Sequence, residues 1–388
     1  MYSIDFLSSI KKADREAWNR MASVLKSPFL EWEWLFCMEE SGSICENSGW
    51  QPFHAVLYKS GRMAGAAPLY IKKHSEGEFV YDYFWQDAAM QMDLQWFPKI
   101  VGTIPATPSV AYEFLTDPDE DRDEIISALM SFIHQYAEKN GIKNIQFNFI
   151  TEDFRKKLES REYAMWMDQL YSWENRNFTD FDGYLNSFRK NQRRNIRREI
   201  SSMHNQGYST RIIRGKNISR EHAAKISLLY TLTNNKFGIW AARFLHKSFF
   251  DLAVSYFSRR LVFCEAVDPD GETAGMSMLV EKDKLIVGRY AGSTMYIKDL
   301  HFNFCYYSPI DYAIKNRISV FDPGAGSSHK IRRGFLAVPV YSAHFFFNPV
   351  LKALFSANVP VINRQMKDRI DLMNESSPLK DPGFPVIL

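Results

Sequence analysis

The sequence has little cysteine, and its arrangement favours neither a disulfide framework nor a zinc site. The 388 residues include four cysteines, at positions 37, 45, 264 and 305, and none of them forms a C-x-x-C pair. No cluster among the nine histidines has zinc-like spacing. We therefore expect no metal site, and reduced thiols in a cytoplasmic protein are the simplest interpretation.

Long apolar runs and a strong charge imbalance are also absent. The first residues lack the apolar core and cleavage site of a signal peptide. The apolar stretch 345–362 is interrupted by Asn348, Pro349, Lys352 and Pro360, so we predict no transmembrane segment. The net charge is only +3, so a nucleic acid or phosphate would have to bind a local patch, and we expect no DNA partner.

Length and composition predict two folded domains. A chain of 388 residues is long for one compact domain, and its 46% hydrophobic and 15% aromatic residues supply enough material for cores. We predict an N-terminal domain over 1–175 and a C-terminal domain over 176–372. Residues 373–388, rich in Ser, Pro and Gly towards the end, are expected to form a tail.

The predicted elements follow a similar order in both halves, which indicates an α/β fold. In the first half a hairpin at 53–71 is followed by an amphipathic helix at 121–140 and a strand at 145–150. The second half has predicted helices and strands at 208–213, 219–235, 241–257, 261–279 and 284–290. The similarity lies in the order of elements, because no repeat is visible in the sequence itself.

A basic amphipathic helix is predicted at 184–204. Its basic side chains share one broad arc, with no acid among those ten residues: Arg189, Lys190, Arg193, Arg194, Arg197 and Arg198. Such an arc could bind tRNA, a nucleotide-sugar pyrophosphate, or the pyrophosphate of coenzyme A or a lipid-linked precursor. We take Arg193, Arg194 and Arg197 as candidate substrate-binding residues, with an ordinary solvated surface as the alternative.

The polar residues that could take part in chemistry are most concentrated between residues 288 and 344. A buried helix is predicted at 300–315, kinked or restarted at Pro309, followed by a short strand at 318–321. The Gly-rich run 323–328 can turn sharply and leave backbone N–H groups free. Four polar side chains follow this run within five residues: His329, Lys330, Arg332 and Arg333.

These side chains suggest roles in catalysis. With an ordinary pKa of about 6.5, His329 could accept a proton from an attacking amine, or it could simply hold the loop in place. Lys330 and Arg333 could bind a phosphate or polarise an acyl carbonyl, or they could form surface ion pairs. No Ser-His-Asp or Cys-His nucleophile pattern is evident, and Cys305 lies on an apolar helix face.

Four stretches in the second half resemble motifs of the FemAB-like family of predicted N-acyltransferases. The family's GRYWG, LHFELCYY, GAQGEHK-x-x-RGF and YSAH motifs are matched, in order, by residues 288–292, 300–307, 324–335 and 341–344. The resemblance extends into the first half, at residues 69–85, 98–99 and 105–108.

Three departures from the family motifs matter. Ala291 replaces Trp, Asn303 replaces Glu, and Gly326-Ser327-Ser328 replaces Gln-Gly-Glu immediately before His329. If the missing Glu oriented or activated the histidine in relatives, the chemistry of this chain would be altered or lost.

The resemblance implies two tandem GNAT-like domains with mixed central sheets. It also implies an N-acyltransferase that moves an aminoacyl or acyl group onto an amine of a peptidoglycan precursor or a related small molecule. No cofactor would be bound, because aminoacyl-tRNA or acyl-CoA would serve as co-substrate, and the acceptor could lie at a membrane surface. The alternatives are an acyl-CoA-dependent N-acetyltransferase of a small amine and a non-catalytic recognition protein.

Further substrate-binding candidates come from the matched stretches. In the second half they are Arg289, Tyr290 and His301, and in the first half Glu78, Asp82 and Trp85. The first-half residues could line a cleft, where Trp85 would stack on a sugar or base, or they could serve packing and helix capping.

Overall fold

A computed structural model describes residues 2–238 and 241–383 of the chain. The described residues form two compact units. Unit 1 consists of residues 2–168 and 340–366, and unit 2 of residues 169–339 and 367–383. The domain bounds expected from the sequence, 1–175 and 176–372, stay a prediction.

Helices and strands are interspersed along both units. The α-helices are Arg15–Ser23 (α1), Trp32–Glu40 (α2), Tyr83–Gln91 (α3), Arg122–Lys139 (α4), Glu152–Glu159 (α5), Phe181–Asn186 (α6), Lys190–Asn205 (α7), Arg220–Asn235 (α8), Lys247–Tyr256 (α9), Leu300–Phe302 (α10), Ser308–Lys315 (α11) and Pro349–Glu375 (α12). The strands are Tyr2–Leu7 (β1), Trp50–Pro52 (β2), His54–Lys59 (β3), Arg62–Ala67 (β4), Leu69–Lys72 (β5), Lys99–Gly102 (β6), Leu115–Thr116 (β7), Asn144–Phe147 (β8), Ala164–Glu174 (β9), Ser209–Arg214 (β10), Leu261–Val267 (β11), Thr273–Lys282 (β12), Leu285–Ser293 (β13), Val320–Asp322 (β14) and Leu336–Phe346 (β15).

Unit 1 contains an antiparallel sheet and a mixed set of strands. The antiparallel sheet has the order β1-β3-β4-β7, and its central hairpin turns at Ser60 and Gly61, which both have positive φ. The helix α4 packs closely on this sheet, since a Cβ at Gly65 would lie 2.3 Å from Ile125. The mixed set has the order β2-β5-β6-β8-β15, in which β6 and β8 are parallel.

Unit 2 repeats this arrangement of the mixed strands. Its strands have the order β10-β11-β12-β13-β14-β9, in which β13 and β14 are parallel and the other pairs are antiparallel. In both units an antiparallel pair is followed by a parallel pair and then by another antiparallel one. The predicted fold class, α/β with mixed central sheets, is confirmed.

The basic stretch forms two helices where the sequence predicted one. The Asp180 side chain accepts a hydrogen bond from the Gly183 N–H and so starts α6, which ends at Asn186. Arg189 has extended backbone angles (φ −60°, ψ 151°) and precedes α7. The chain therefore breaks between the helices, and the six basic residues belong to the start of α7 and its first turns.

Two other segments also differ from expectation. The helix predicted at 241–257 is helical only in α9, and residues 239–240 lie outside the described part. The expected tail is in part structured, because α12 continues to Glu375 and the N–H of Arg189 donates to Pro378 O at 2.9 Å. Residues 384–388 also lie outside the described part.

Within residues 2–238 and 241–383, no helix has both the length and the apolar character that crossing a membrane requires.

Candidate active site

A π-helical turn at Asn303–Tyr307 separates α10 from α11 in unit 2. Pro309, in the first turn of α11, has no N–H to donate to the preceding turn, which is consistent with the restart predicted from the sequence. The wider turn directs two consecutive tyrosines to the same region. The Tyr306 hydroxyl lies 2.9 Å from His329 Nε2, and the Tyr307 hydroxyl donates to Glu199. Such turns are frequent at functional sites.

The Gly-rich loop lies between β14 and a 3₁₀ turn at Ser328–Arg333. Gly324 has φ 75°, and a Cβ there would lie 2.6 Å from Gly288 O in β13. Glycine is therefore needed for the close approach of this loop to β13. The Gly324 N–H donates to Asp322 Oδ1 at 2.8 Å, which fixes the start of the loop.

His329 is half-buried, and both of its ring nitrogens have partners. Nδ1 lies 2.6 Å from the Ser327 hydroxyl, and Nε2 bonds Tyr306. Burial, together with the nearby Arg333 guanidinium, His301 and Lys330, lowers the pKa of His329 to about 4. The ring is therefore neutral at pH 7 and can accept a proton, but it is a weaker base than an ordinary histidine.

The two predicted cations beside His329 are buried and bound within the protein. Lys330 Nζ donates to Gly324 O at 2.6 Å and to Ala325 O at 2.8 Å, and burial lowers its pKa to about 8. Arg333 Nη1 donates to His329 O at 2.8 Å. These contacts hold the Gly-rich loop and the 3₁₀ turn, so the predicted contacts to phosphate or acyl oxygen would compete with them.

The structure brings the basic helix and the loop together within unit 2. Gln192 Nε2 donates to Arg332 O at 2.7 Å, and Arg333 Nη2 pairs with Glu199 Oε2 at 2.8 Å. On α7, Ile196 and Met203 are buried, whereas most of the basic arc is exposed. The packing face of α7 thus contacts the segment that carries His329, and the basic arc lies on the exposed face of the same helix.

The candidate arginines of α7 have few strong partners. Arg193 Nη1 donates to Asn186 at 3.1 Å, and Arg197 forms an exposed ion pair with Asp182 at 3.4 Å, a kind of contact that contributes little stability. The first turn of α7 contains no acid, so the basic residues there oppose the helix dipole. Positive charge at this end weakens the helix, and an anionic ligand would relieve that cost.

The strand β13 has a bulge beside the loop. Tyr290 pairs with Met278 and Gly288 with Leu279, which leaves Arg289 as the additional residue. A bulge redirects the side chain of the additional residue and is common next to active sites. Arg289 lies over the Tyr290 ring, 5.0 Å from its centroid, and donates to its hydroxyl at 3.2 Å.

His301 completes the group of predicted residues in unit 2. Its ring centroid lies 6.2 Å from that of His329, and its Nδ1 lies 3.5 Å from the Cys305 sulfur. Loss of surrounding water and the Arg333 charge lower its pKa to about 4. In the part of the chain that the structure describes, no cluster of His, Cys, Asp and Glu could hold a metal ion.

The comparison with family models decides the family. The model of the FemAB-like family, described as peptidoglycan biosynthesis/recognition, matches residues 9–381. The chain belongs to the FemAB-like family. The membership confirms the predicted family and supports an acyltransferase function linked to peptidoglycan. No curated protein matches the chain significantly in sequence.

Solved structures similar to this FemAB-like chain show the same fold at low sequence identity. FemX is 11% identical, with 89% of this chain and 98% of FemX covered and a TM-score of 0.56. The C-terminal domain of a protein described as a lysylphosphatidylglycerol synthetase, from Agrobacterium fabrum, is 11% identical, with 90% and 97% covered and a TM-score of 0.55. A conserved protein of unknown function from Bacteroides thetaiotaomicron is 10% identical, with 88% and 99% covered and a TM-score of 0.54.

The first-half candidates of the FemAB-like chain do not line an open surface of unit 1. Lys99 Nζ lies 2.9 Å from both Glu78 Oε2 and Asp82 Oδ2, and all three side chains are fully buried. Trp85 is buried among apolar residues of α3 and α12, with Phe355 4.5 Å away between ring centroids. The structure therefore differs from the expectation that Trp85 stacks on a sugar or base. The ring of Trp85 is buried in the hydrophobic core instead.

Three residues important to the site were missed in the sequence of this FemAB-like chain. Ser327 and Tyr306 contact His329, and Glu199 binds Arg333. The sequence did contain a signal for Glu199. This acid lies three residues after Ile196 and four before Met203, which puts it on the packing face of α7. An acid on such a face needs a buried cation partner.

Proposed function

We propose that the chain transfers an aminoacyl or acyl group from an activated donor to an amine of a peptidoglycan precursor or a related small molecule. The observation that carries the proposal is the joining of α7 to the 3₁₀ turn through Glu199 and Arg333. This contact supports the proposal because it links the helix that carries the candidate polyanion-binding arc to the turn that carries the neutral His329. The polyanionic end of a substrate could then bind α7 while its acyl carbon approaches His329.

The donor that we favour is aminoacyl-tRNA, with acyl-CoA as the alternative. The arc comprises six basic residues, and Arg194, Arg197 and Arg198 are exposed. An extended array of this kind suits several phosphates along a nucleic acid backbone, although the pyrophosphate of coenzyme A would need only part of it. No bound cofactor is required, because the donor brings the activated acyl group.

His329 is the proposed general base, and Lys330 and Arg333 are proposed to hold the loop. A neutral imidazole can accept the proton that the amine loses as it attacks the acyl carbon. The cations are buried close to the histidine, so their field would favour negative charge that develops on the acyl oxygen. Lys330 and Arg333 would act through their electric field and would need no direct bond to the substrate.

A second candidate function is recognition of a peptidoglycan precursor without catalysis. The low pKa of His329 and the internal hydrogen bonds of Lys330 and Arg333 favour this second function, since both make the site less effective in catalysis. The two candidates differ in whether turnover follows binding.

A donor screen would test the proposal. Purified chain would be incubated with radiolabelled aminoacyl-tRNA or acetyl-CoA and with a panel of amine-bearing peptidoglycan precursors, and N-acylated product would be measured. Product with one donor, lost in the variant Arg193→Ala/Arg194→Ala/Arg197→Ala, would support the proposal. Saturable binding of a precursor without product from either donor would instead favour recognition.

A further inference from the structure

The side chains around His329 have the arrangement of an activated nucleophile. Ser327 Oγ lies 2.6 Å from Nδ1, and the Tyr306 hydroxyl holds Nε2 at 2.9 Å. A nucleophile within hydrogen-bond reach of a base, which a third group orients, is the arrangement that covalent catalysis requires. The tyrosine is buried, whereas the serine is exposed, so a substrate could reach the serine side of the ring.

The surroundings of Ser327 suit the chemistry of an acyl ester. Gly326 has φ 138°, a conformation open to glycine, and it delivers the serine at the exposed end of the loop. The buried Lys330 and Arg333 create a positive field that favours an alkoxide and the oxyanion formed after attack. The same field contributes to the low pKa of His329, which keeps the ring neutral and able to accept the serine proton at neutral pH.

We propose that Ser327 is a nucleophile that takes up an acyl group from an activated ester or thioester, with His329 as base and Tyr306 as a positioning residue. The choice of donor class rests on the proposed acyl transfer. The proposal adds an acyl-enzyme to that function and, when water replaces the amine, an esterase activity.

The bonds and protons balance in two steps. Ser327 Oγ forms a bond to the acyl carbon while its proton moves to His329 Nδ1, and the C–O or C–S bond of the donor breaks as the leaving group takes that proton. An amine then attacks the acyl carbon and its proton moves to Nδ1. The bond from Oγ to carbon breaks, and Oγ recovers the proton. Tyr306 accepts a hydrogen bond from the Nε2–H throughout, which leaves Nδ1 free to exchange protons.

Acylation by p-nitrophenyl acetate would test the proposal on the full chain. We expect a burst of about one equivalent of p-nitrophenolate per chain and one acetyl group on Ser327, located by peptide mass spectrometry after an acid quench. The variant Ser327→Ala should lose both signals. His329→Gln should slow acylation about a hundredfold, as expected when a general base is lost.

Two further variants separate catalysis from general reactivity. Ser328→Ala is the matched control, because Ser328 is an exposed neighbouring hydroxyl, and it should acylate like the wild type. Tyr306→Phe should slow acylation and move the acid limb of its pH profile to lower pH, since the ring loses the acceptor for its Nε2–H. A purely structural tyrosine would leave that limb in place. Absence of acetyl on Ser327, or equal labelling in His329→Gln, would overturn the proposal.

The test also separates this proposal from the proposed function. If transfer to an amine continues unchanged in Ser327→Ala, the acyl-enzyme is wrong and direct attack by the amine stands. If Ser327 is acylated but no amine accepts the group from any donor, the acyl-enzyme stands and N-acyl transfer is wrong.

Discussion

Glu199 Oε2 and Arg333 Nη2 lie 2.8 Å apart, and this pair joins the basic helix α7 to the 3₁₀ turn that contains His329. The arginine is buried, with its guanidinium 3.3 Å from the centroid of the Phe302 ring. The same carboxylate accepts a hydrogen bond from Tyr307. Because one acid serves two buried partners, its loss should affect the fold and the site together.

The first prediction concerns the stability that Glu199 provides. Glu199→Ala leaves the buried Arg333 charge without its partner, so the free energy of unfolding should fall by about 3 kcal/mol or more. Urea denaturation followed by circular dichroism measures it. Glu221→Ala is the matched control, because the exposed Glu221 pairs with Lys225 at the surface and its loss should cost at most about 1 kcal/mol. Equal destabilisation in both variants would show that the Glu199 pair contributes no more than a surface ion pair.

The second prediction concerns the basic arc. Arg193→Ala/Arg194→Ala/Arg197→Ala should weaken binding of a polyanionic donor and lower the slope of log affinity against log salt by roughly one for each phosphate that the variant no longer neutralises. Thermal stability should change little, since Ile196 and Met203 on the opposite face carry the packing.

A control for the arc removes the same charge elsewhere. The exposed basic residues Arg364, Lys367 and Arg369 of α12 can be replaced together by alanine. If binding depends only on net charge, fluorescence anisotropy with labelled tRNA will show the same decrease in affinity for both triple variants. That result would show that the basic arc of α7 is an ordinary solvated surface.

The third prediction concerns His329 and pH. If the histidine is the base, His329→Gln should lower kcat about a hundredfold while the donor Kd changes little. Because its pKa lies near 4, the ring stays unprotonated from pH 8 down to pH 5, so its titration should not reduce the rate of the wild type over that range. A rate that falls with a midpoint near pH 6.5 and loses this midpoint in His329→Gln would contradict the low pKa.

The fourth prediction compares two buried lysines of unit 1. Lys99 has two carboxylate oxygens at 2.9 Å, whereas Lys72 has a carboxylate oxygen at 3.6 Å and the Glu76 carbonyl at 2.6 Å. Lys99→Met should lower the free energy of unfolding by about 3 to 5 kcal/mol, because Glu78 and Asp82 lose their main counter-charge. Lys72→Met should cost less, and urea denaturation of both variants gives the comparison.

The Lys72 variant should also change how stability depends on pH. Burial lowers the pKa of Lys72 to about 7 from an ordinary value of 10.5, so the unfolded chain binds more protons between these values. The free energy of unfolding of the wild type should therefore gain a contribution from Lys72 as pH rises from 7 towards 10. That contribution should be absent in Lys72→Met, and an identical pH slope in both proteins would show that Lys72 is not perturbed.

Much of the fold could be predicted because local patterns survive in the folded chain. The helix predicted at 121–140 is α4, and Asp121 caps it by accepting from the N–H groups of Asp123 and Glu124. The restart at Pro309 follows from the missing N–H of proline. The break between α6 and α7 was not predicted, since the apolar and basic periodicity continues across it and the C-terminal segment that pairs there lies far along the chain.

The sequence by itself determined the family, the α/β class and the two stretches that carry the chemistry, because periodicity, glycine spacing and motif order are properties of neighbouring residues. Only the tertiary structure decided what those residues contact. It buried Glu78, Asp82 and Trp85, bound Lys330 to the carbonyls of its own loop, and placed Ser327 and Tyr306 on either side of His329. Such pairings depend on burial and on contacts between distant segments: Glu199 and Arg333 meet across 134 positions, a separation that no local pattern records.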